Sequence, residues 1–152
     1  MGIGAREFQR ERVCAELCNE LLPLLYQHDT EVSHFKDIIL VPDFEKYFAI
    51  AEHGGLRAFT VRENKVLVGY AIFYVNFHNH YSCSLQAVQD ALFILPEHRG
   101  EGEEFIKWCD SELKLDGVEV VYHHVKLSHD YSPALLRQGY EQIEKVYARR
   151  LK

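Results

Sequence analysis

Apolar residues recur at three- to four-residue spacing near the start of the chain, at Val13, Leu17, Leu21 and Leu24/Leu25. That spacing lines one face of an amphipathic helix, so residues 1–27 are read as an N-terminal helical segment, apolar-periodic from Ala5 to about Gln27. Pro23 has no N–H and is expected to bend or end it. A second helix is predicted over Asp43–His53. Asp43 caps it, Phe44, Phe48 and Ile50/Ala51 form its apolar face, and Gly54-Gly55 stop it. The period then shortens. Leu56–Arg62 reads as a strand, Glu63-Asn64 as a turn, and Lys65–Phe77 as a long strand rich in β-branched and aromatic residues. After the turn region His78-Asn79-His80, Leu85–Leu95 is a third strand. Its end, Ala91-Leu92-Phe93-Ile94-Leu95, is apolar on both faces, as in a strand covered on both sides.

Pro96–Gly102 is a loop, and Glu103–Asp116 a helix with Phe105, Ile106, Cys109 and Leu113 on one face and Gly117 as its stop. Val118–Leu127 is predicted as a strand and Ser132–Gln138 as a short helix closed by Gly139. Glu141–Leu151 is predicted as an edge strand whose terminal Arg149, Arg150 and Lys152 discourage further pairing. The order α α β β β α β α β implies an α+β (mixed α/β) fold. It has one central mixed sheet, mostly antiparallel, with helices on both faces.

The chain of 152 residues suits a single domain, 1–152. With 17 Lys+Arg against 23 Asp+Glu its net charge is −6, which argues against nucleic-acid binding as the main task. The longest apolar stretch, Val66–Val75, is about half a membrane span, so no membrane partner is expected. The N-terminus has no apolar signal core, and Arg6 stands where N-myristoylation of Gly2 would need Ser or Thr. Cys14, Cys18, Cys83 and Cys109 show no CxxC spacing and read as buried thiols of a reducing, cytoplasmic compartment.

The most informative stretch is Leu92-Phe93-Ile94-Leu95-Pro96-Glu97-His98-Arg99-Gly100-Glu101-Gly102. A buried strand runs through a glycine loop into a helix start. Loop N–H groups and the positive helix end then converge on one spot that suits a phosphate, and Gly100 and Gly102 let it approach the backbone. The same glycines also suit a plain tight turn. His78-x-His80 puts two rings on one strand face, as a zinc site could use, but no third ligand follows at suggestive spacing, so no metal is expected. His123 and His124 face opposite sides of their strand.

Loop and element order together resemble the GNAT superfamily of acyl-CoA N-acyltransferases, whose motif is a central strand, Arg/Gln-x-x-Gly-x-Gly/Ala and a helix. Arg99 and Gly102 fill its first and fourth places. Ala134-Leu135-Leu136-Arg137-Gln138-Gly139-Tyr140 is similar to a later helix ending in Gly-Phe. The resemblance covers about Phe44 to Lys152. It is nearest to small, phage-type members with a long first helix and a strand like His124-Val125-Lys126, which would act in the host cytoplasm.

The resemblance implies acetyl-CoA as cosubstrate. Backbone groups of Leu92, Phe93 and Ile94 would hold its pantetheine arm. Arg99, Gly100, Glu101, Gly102, Glu103 and Glu104 would cradle its pyrophosphate. Glu104 departs from the motif, whose sixth place is Gly or Ala. At ~6 Å in water one such charge costs about 0.7 kcal/mol, tolerable if it points outward. A second departure is Leu135, where many members carry a tyrosine that protonates the departing thiolate; Tyr131, one turn earlier, is the substitute candidate.

The reaction needs a base for the acceptor ammonium. Asp90 is the candidate, placed by strand parity on one face with Leu92 and Ile94. An ion pair or cap with Lys126 or a histidine is its structural alternative. His124 and His129 are candidates for orienting acceptor or water. The implied function is acetyl transfer to a primary amine of a small-molecule or peptide acceptor. The acceptor would be chosen by the loops around Val32–Val41 and His78–Ser84. The alternative is a catalytically degenerate module that binds a partner protein or CoA without turnover. A homodimer built on the apolar face of the first helix is a further option.

Overall fold

A computed structural model describes residues 4–152; Met1–Ile3, including the Gly2 considered for lipidation, lie outside the described residues. Nine elements follow in order: β1 (Arg6–Glu11), α1 (Ala15–Val32), α2 (Phe44–Glu52), β2 (Leu56–Glu63), β3 (Val66–Phe77), β4 (Leu85–Ile94), α3 (Gly102–Leu115), β5 (Val120–Tyr122) and α4 (Ser132–Arg137). The strands form one sheet in the order β1-β2-β3-β4-β5. Every pairing is antiparallel except β4 with β5. This is the mixed, mostly antiparallel sheet expected from the hydrophobic pattern.

The N-terminus corrects that pattern. Residues 6–11 are not the first turns of a helix; they pair with β2 from Arg6 opposite Glu63 to Glu11 opposite Ala58. Phe8 is the only large apolar residue in the segment. It packs on Phe105 and Trp108 of α3, with ring centroids 5.2 and 6.0 Å away. The charges are consumed across the strands: Arg6 meets Glu63, and Arg62 meets Glu11. Helix α1 then runs to Val32 through Pro23. Pro23 and Asn19, whose carbonyl loses its helical donor, are both exposed, so solvent can satisfy that carbonyl.

The sheet carries a core on each face. Phe59, Val61, Phe73, Val75 and Ala87 pack against Phe105, Cys109 and Leu113 of α3. Tyr70, Ile72, Ala91 and Phe93 pack against Leu17, Leu21 and Leu24 of α1. Burying each such large side chain contributes about 1.5–3 kcal/mol. The apolar face of α1 is therefore spent inside the molecule, which removes the dimer built on it.

Other local expectations hold or shift. Asp43 caps α2 by accepting from the Lys46 N–H at 3.2 Å. Val118–Leu127 shortens to Val120–Tyr122, and Glu141–Leu151 forms no strand. That last segment alternates in sequence but finds no ladder partner, and Arg150 instead grips Asp37 at 2.7 Å. Cys18 and Cys109 are buried, but Cys83 is exposed in the β3–β4 connection. Among the described residues no helix is long and apolar enough to cross a membrane.

Candidate active site

β4 is zipped differently along its two halves. On one side it pairs with β3 throughout, Phe77 opposite Leu85 to Gly69 opposite Ile94. On the other side its ladder to β5 covers only Gln86–Val88 against Val120–Tyr122. Where the strands part, the buried Gln89 reaches across and its Oε1 accepts the His124 N–H at 2.9 Å, replacing the next ladder bond. Beyond it the β4 edge is open. The Leu95 N–H donates to Val68 of β3 at 2.8 Å. Antiparallel alternation therefore turns the N–H groups of Leu92 and Ile94 to the open side and those of Phe93 toward β3.

Asp90 sits at the start of this open half and corrects the parity argument. The register jumps between Ile72, opposite Ala91, and Phe73, opposite Gln89, so Asp90 is an extra residue with no partner. Such a bulge breaks the two-residue alternation. Leu92 and Ile94 pack toward α3, whereas Ala91 and Phe93 pack toward α1. Asp90 lies on the α1/α2 face, because the Tyr47 hydroxyl of α2 donates to its Oδ2 at 2.7 Å. That tyrosine, not Lys126 or a histidine, is its partner. Tyr47 stacks on Tyr74 at 6.4 Å, and burial followed by the Asp90 charge pushes the Tyr47 phenol well above its ordinary range. The Asp90 side of the sheet also holds His28. Its Nδ1 lies 2.9 Å from the Tyr70 hydroxyl, its ring stacks on Phe93, and burial lowers it to about 4.

The glycine loop leaves β4 through a turn of 3-10 helix, Pro96–His98. Gly100 has φ +133°, which side chains rarely adopt. At the start of α3 the first closed helical bond runs from the Phe105 N–H to the Glu101 carbonyl, 3.0 Å, and Glu101 makes no side-chain cap. The N–H groups of Gly102, Glu103 and Glu104 are thus free of helical partners. A Cβ placed on Gly102 would meet nothing within 4 Å outside its chain neighbours and its own helix turn, so there is room beside this residue.

The loop's side chains are turned elsewhere. Arg6 braces it by bonding Glu63, the His98 carbonyl and Glu101. Glu103 pairs with Arg137 of α4 at 3.3 Å. Glu104 is exposed. Arg99 lies over the Phe93 ring, donates to the Ile94 carbonyl at 2.8 Å and binds both oxygens of Glu31. Hydrogen bonding to Arg99 holds the Glu31 carboxyl below its ordinary range, and His129 meets Glu31 at 3.0 Å.

On the α3 side of the parting strands, His123 is half-buried, and desolvation of its ring lowers its pKa to about 4. Its Nδ1 is 3.2 Å from the hydroxyl of Tyr131, and its buried Nε2 has no partner. Burial raises the Tyr131 phenol. Leu135, where the resemblance implies a tyrosine, is buried. His124 points the other way and lines an open groove of about 420 Å³ with His78, Val88, Tyr122, Ile143 and Glu144. Among the described residues no three His, Cys, Asp or Glu side chains gather as metal ligands. Sequence reasoning missed Tyr47, Tyr74, Gln89, Glu31 and Glu144. The aromatic pair reads as ordinary core, Gln89 reads as one more strand residue until its bond to His124 is seen, and Glu31 and Glu144 meet the site only across long stretches of chain.

The fold as a whole has counterparts among solved structures. Ribosomal-protein-alanine N-acetyltransferase from Brucella melitensis superposes with a TM-score of 0.71 at 16% identity, over 97% of this chain and 100% of the other. The fold is that of the GCN5-related N-acetyltransferases. A predicted acetyltransferase from Clostridium acetobutylicum, solved with acetyl-CoA, shares this N-acetyltransferase fold at TM-score 0.71 and 11% identity, covering 97% of each chain. An aminoglycoside acetyltransferase from an uncultured soil metagenomic sample matches at 0.69 and 18%, over 95% of this chain and 96% of the other. No protein-family model and no curated protein sequence matches the chain. The N-acetyltransferase likeness therefore resides in the fold, carried by few identical residues.

Proposed function

We propose that the protein is an N-acetyltransferase that moves the acetyl group of acetyl-CoA to a primary amine of a small molecule or peptide. The open half of β4, leading into the free N–H groups of α3, carries this reading. An extended pantetheine arm can bond the outward N–H groups of Leu92 and Ile94, as an added strand would. The pyrophosphate then meets the Gly102–Glu104 amides and the positive end of α3. The exposed Glu104, the Glu103–Arg137 pair and the empty space at Gly102 are compatible with an anion there. Arg99 in this arrangement secures the end of β4 to α1 rather than reaching for phosphate.

Asp90, on the bulge, takes one proton from the acceptor ammonium. The freed nitrogen lone pair attacks the thioester carbonyl, forming the C–N bond, while an outward N–H of β4 stabilises the oxyanion. The C–S bond then breaks. The thiolate leaves with the bonding pair and receives the second nitrogen proton, by way of Tyr131 where its hydroxyl swings from His123. Amide and CoA thiol are the products, and Asp90 returns its proton to solvent.

The test is thermal unfolding with acetyl-CoA together with thiol release in the presence of primary amines. A ligand at 100 times its Kd stabilises by about 2.7 kcal/mol. Stabilisation and amine-dependent thiol release are expected. No shift at millimolar acetyl-CoA overturns the reading.

A further inference from the structure

The groove beside His124 has Val88 in its lining, two residues before Asp90 on β4. Its floor residue Val88 lies opposite Tyr74, the ring that stacks on Tyr47, and Tyr47 bonds Asp90. Val88 and Asp90 are two residues apart on one strand face, roughly 6–7 Å along it. Glu144, on the segment after α4, and Val88 both line the groove, and Asp90 follows Val88 on the same strand face. No lysine or arginine is among the lining residues, Tyr122 and Ile143 line it beside Val88, and the chain's net charge is −6. Glu144 is the one carboxylate among the lining residues, and the Asp90 carboxylate lies just beyond Val88 on the same face. That arrangement matches a molecule with two positive groups separated by an apolar stretch.

We infer that the acceptor is an amine carrying a second cationic group, and that Glu144 is the residue that reads that group. The inference rests on the acetyl-transfer reading, in which the amine nearer Asp90 loses its proton and is acetylated. The distal ammonium stays charged beside Glu144. The imidazoles of His78 and His124 and the Tyr122 ring line the groove without matching the second charge.

The experiment compares α,ω-diamines of three to six carbons with the 1-aminoalkane of equal length, by thiol release from acetyl-CoA. Two equivalent ends give a diamine a twofold statistical advantage. Beyond that, the best diamine should be favoured about three- to tenfold in kcat/KM, the range spanned by exposed and better-shielded ion pairs. In Glu144→Gln the preference should fall to about two, and added salt should do the same to the wild type. Glu144 is exposed, so the variant should fold, which its melting temperature checks. A wild-type preference of two or less, or one that Glu144→Gln leaves intact, overturns the inference. If acetyl-CoA binds but no amine releases thiol, the acetyl-transfer reading fails instead. Calorimetry with the diamines then still decides the inference: binding weakened in Glu144→Gln supports it, and equal or absent binding overturns it.

Discussion

The first half of β4, Leu85–Val88, and its second half, Asp90–Ile94, are adjoining stretches of one strand with opposite uses. The first is bonded on both sides, and Ala87 in it is wholly buried. The second keeps its β3 ladder, carries the bulge at Asp90 and leaves its other edge open. A strand bonded on both sides has no free backbone to offer a ligand. A strand with one open edge inside a packed domain has donors that are already oriented and desolvated on one side. The difference places stability in the first half and the proposed chemistry in the second.

Substitutions in the two halves should therefore separate rate from stability. The largest effect is expected from Asp90→Asn, which keeps shape and hydrogen bonding but removes the proton acceptor. The rate should fall by roughly 10²–10⁴-fold with CoA affinity nearly unchanged. A stable variant with full activity would remove Asp90 from the mechanism.

Next in size is pH. His28 and His123 flank the open half and are lowered by burial from 6.5 to about 4. The unfolded chain therefore binds more protons between these values. The stability they contribute is complete above about pH 6.5 and is lost as pH falls through about 4, at roughly 3 kcal/mol per histidine. Urea unfolding from pH 7 to 4 should show this slope, and His123→Gln should flatten it. An unaltered slope would show that His123 is not a source of it.

Ala87→Leu overpacks the closed half and should cost about 1–3 kcal/mol by the same measurement, with activity per folded molecule retained. Loss of activity in a fully folded Ala87→Leu protein would dissolve the distinction between the halves. The smallest effect is expected just past the open half. Gly102→Val puts a branched side chain beside the α3 amides, where a Cβ meets no distant part of the chain. It should weaken CoA binding about tenfold, ~1.4 kcal/mol, at unchanged helix content. Unchanged affinity would sink the role of this loop.

Much of this contrast is written locally. The run Ala91–Leu95, the glycines at 100 and 102, the cap Asp43 and the stop Gly117 each act within a few residues, so periodicity and turn chemistry reveal them. The bulge does not show. Asp90 looks like a polar residue in step with Leu92, and only the register against β3 displaces it to the other face. Tyr47 is 43 positions from Asp90 in sequence. Glu144 belongs to a stretch whose alternation suggests a strand, yet it serves as a groove wall.

The sequence by itself determined the α+β class, the helices and strands with strong periodicity, and the loop that turns β4 into α3, because these follow from side-chain spacing and backbone preference. Only the tertiary structure decided that residues 6–11 are a strand, that β4 and β5 part after Val88, and that Asp90 faces Tyr47 rather than Leu92. Those outcomes depend on which distant segments meet and in what register. A strand with one apolar residue, or a bulge in an apolar run, carries no local pattern that encodes its partner.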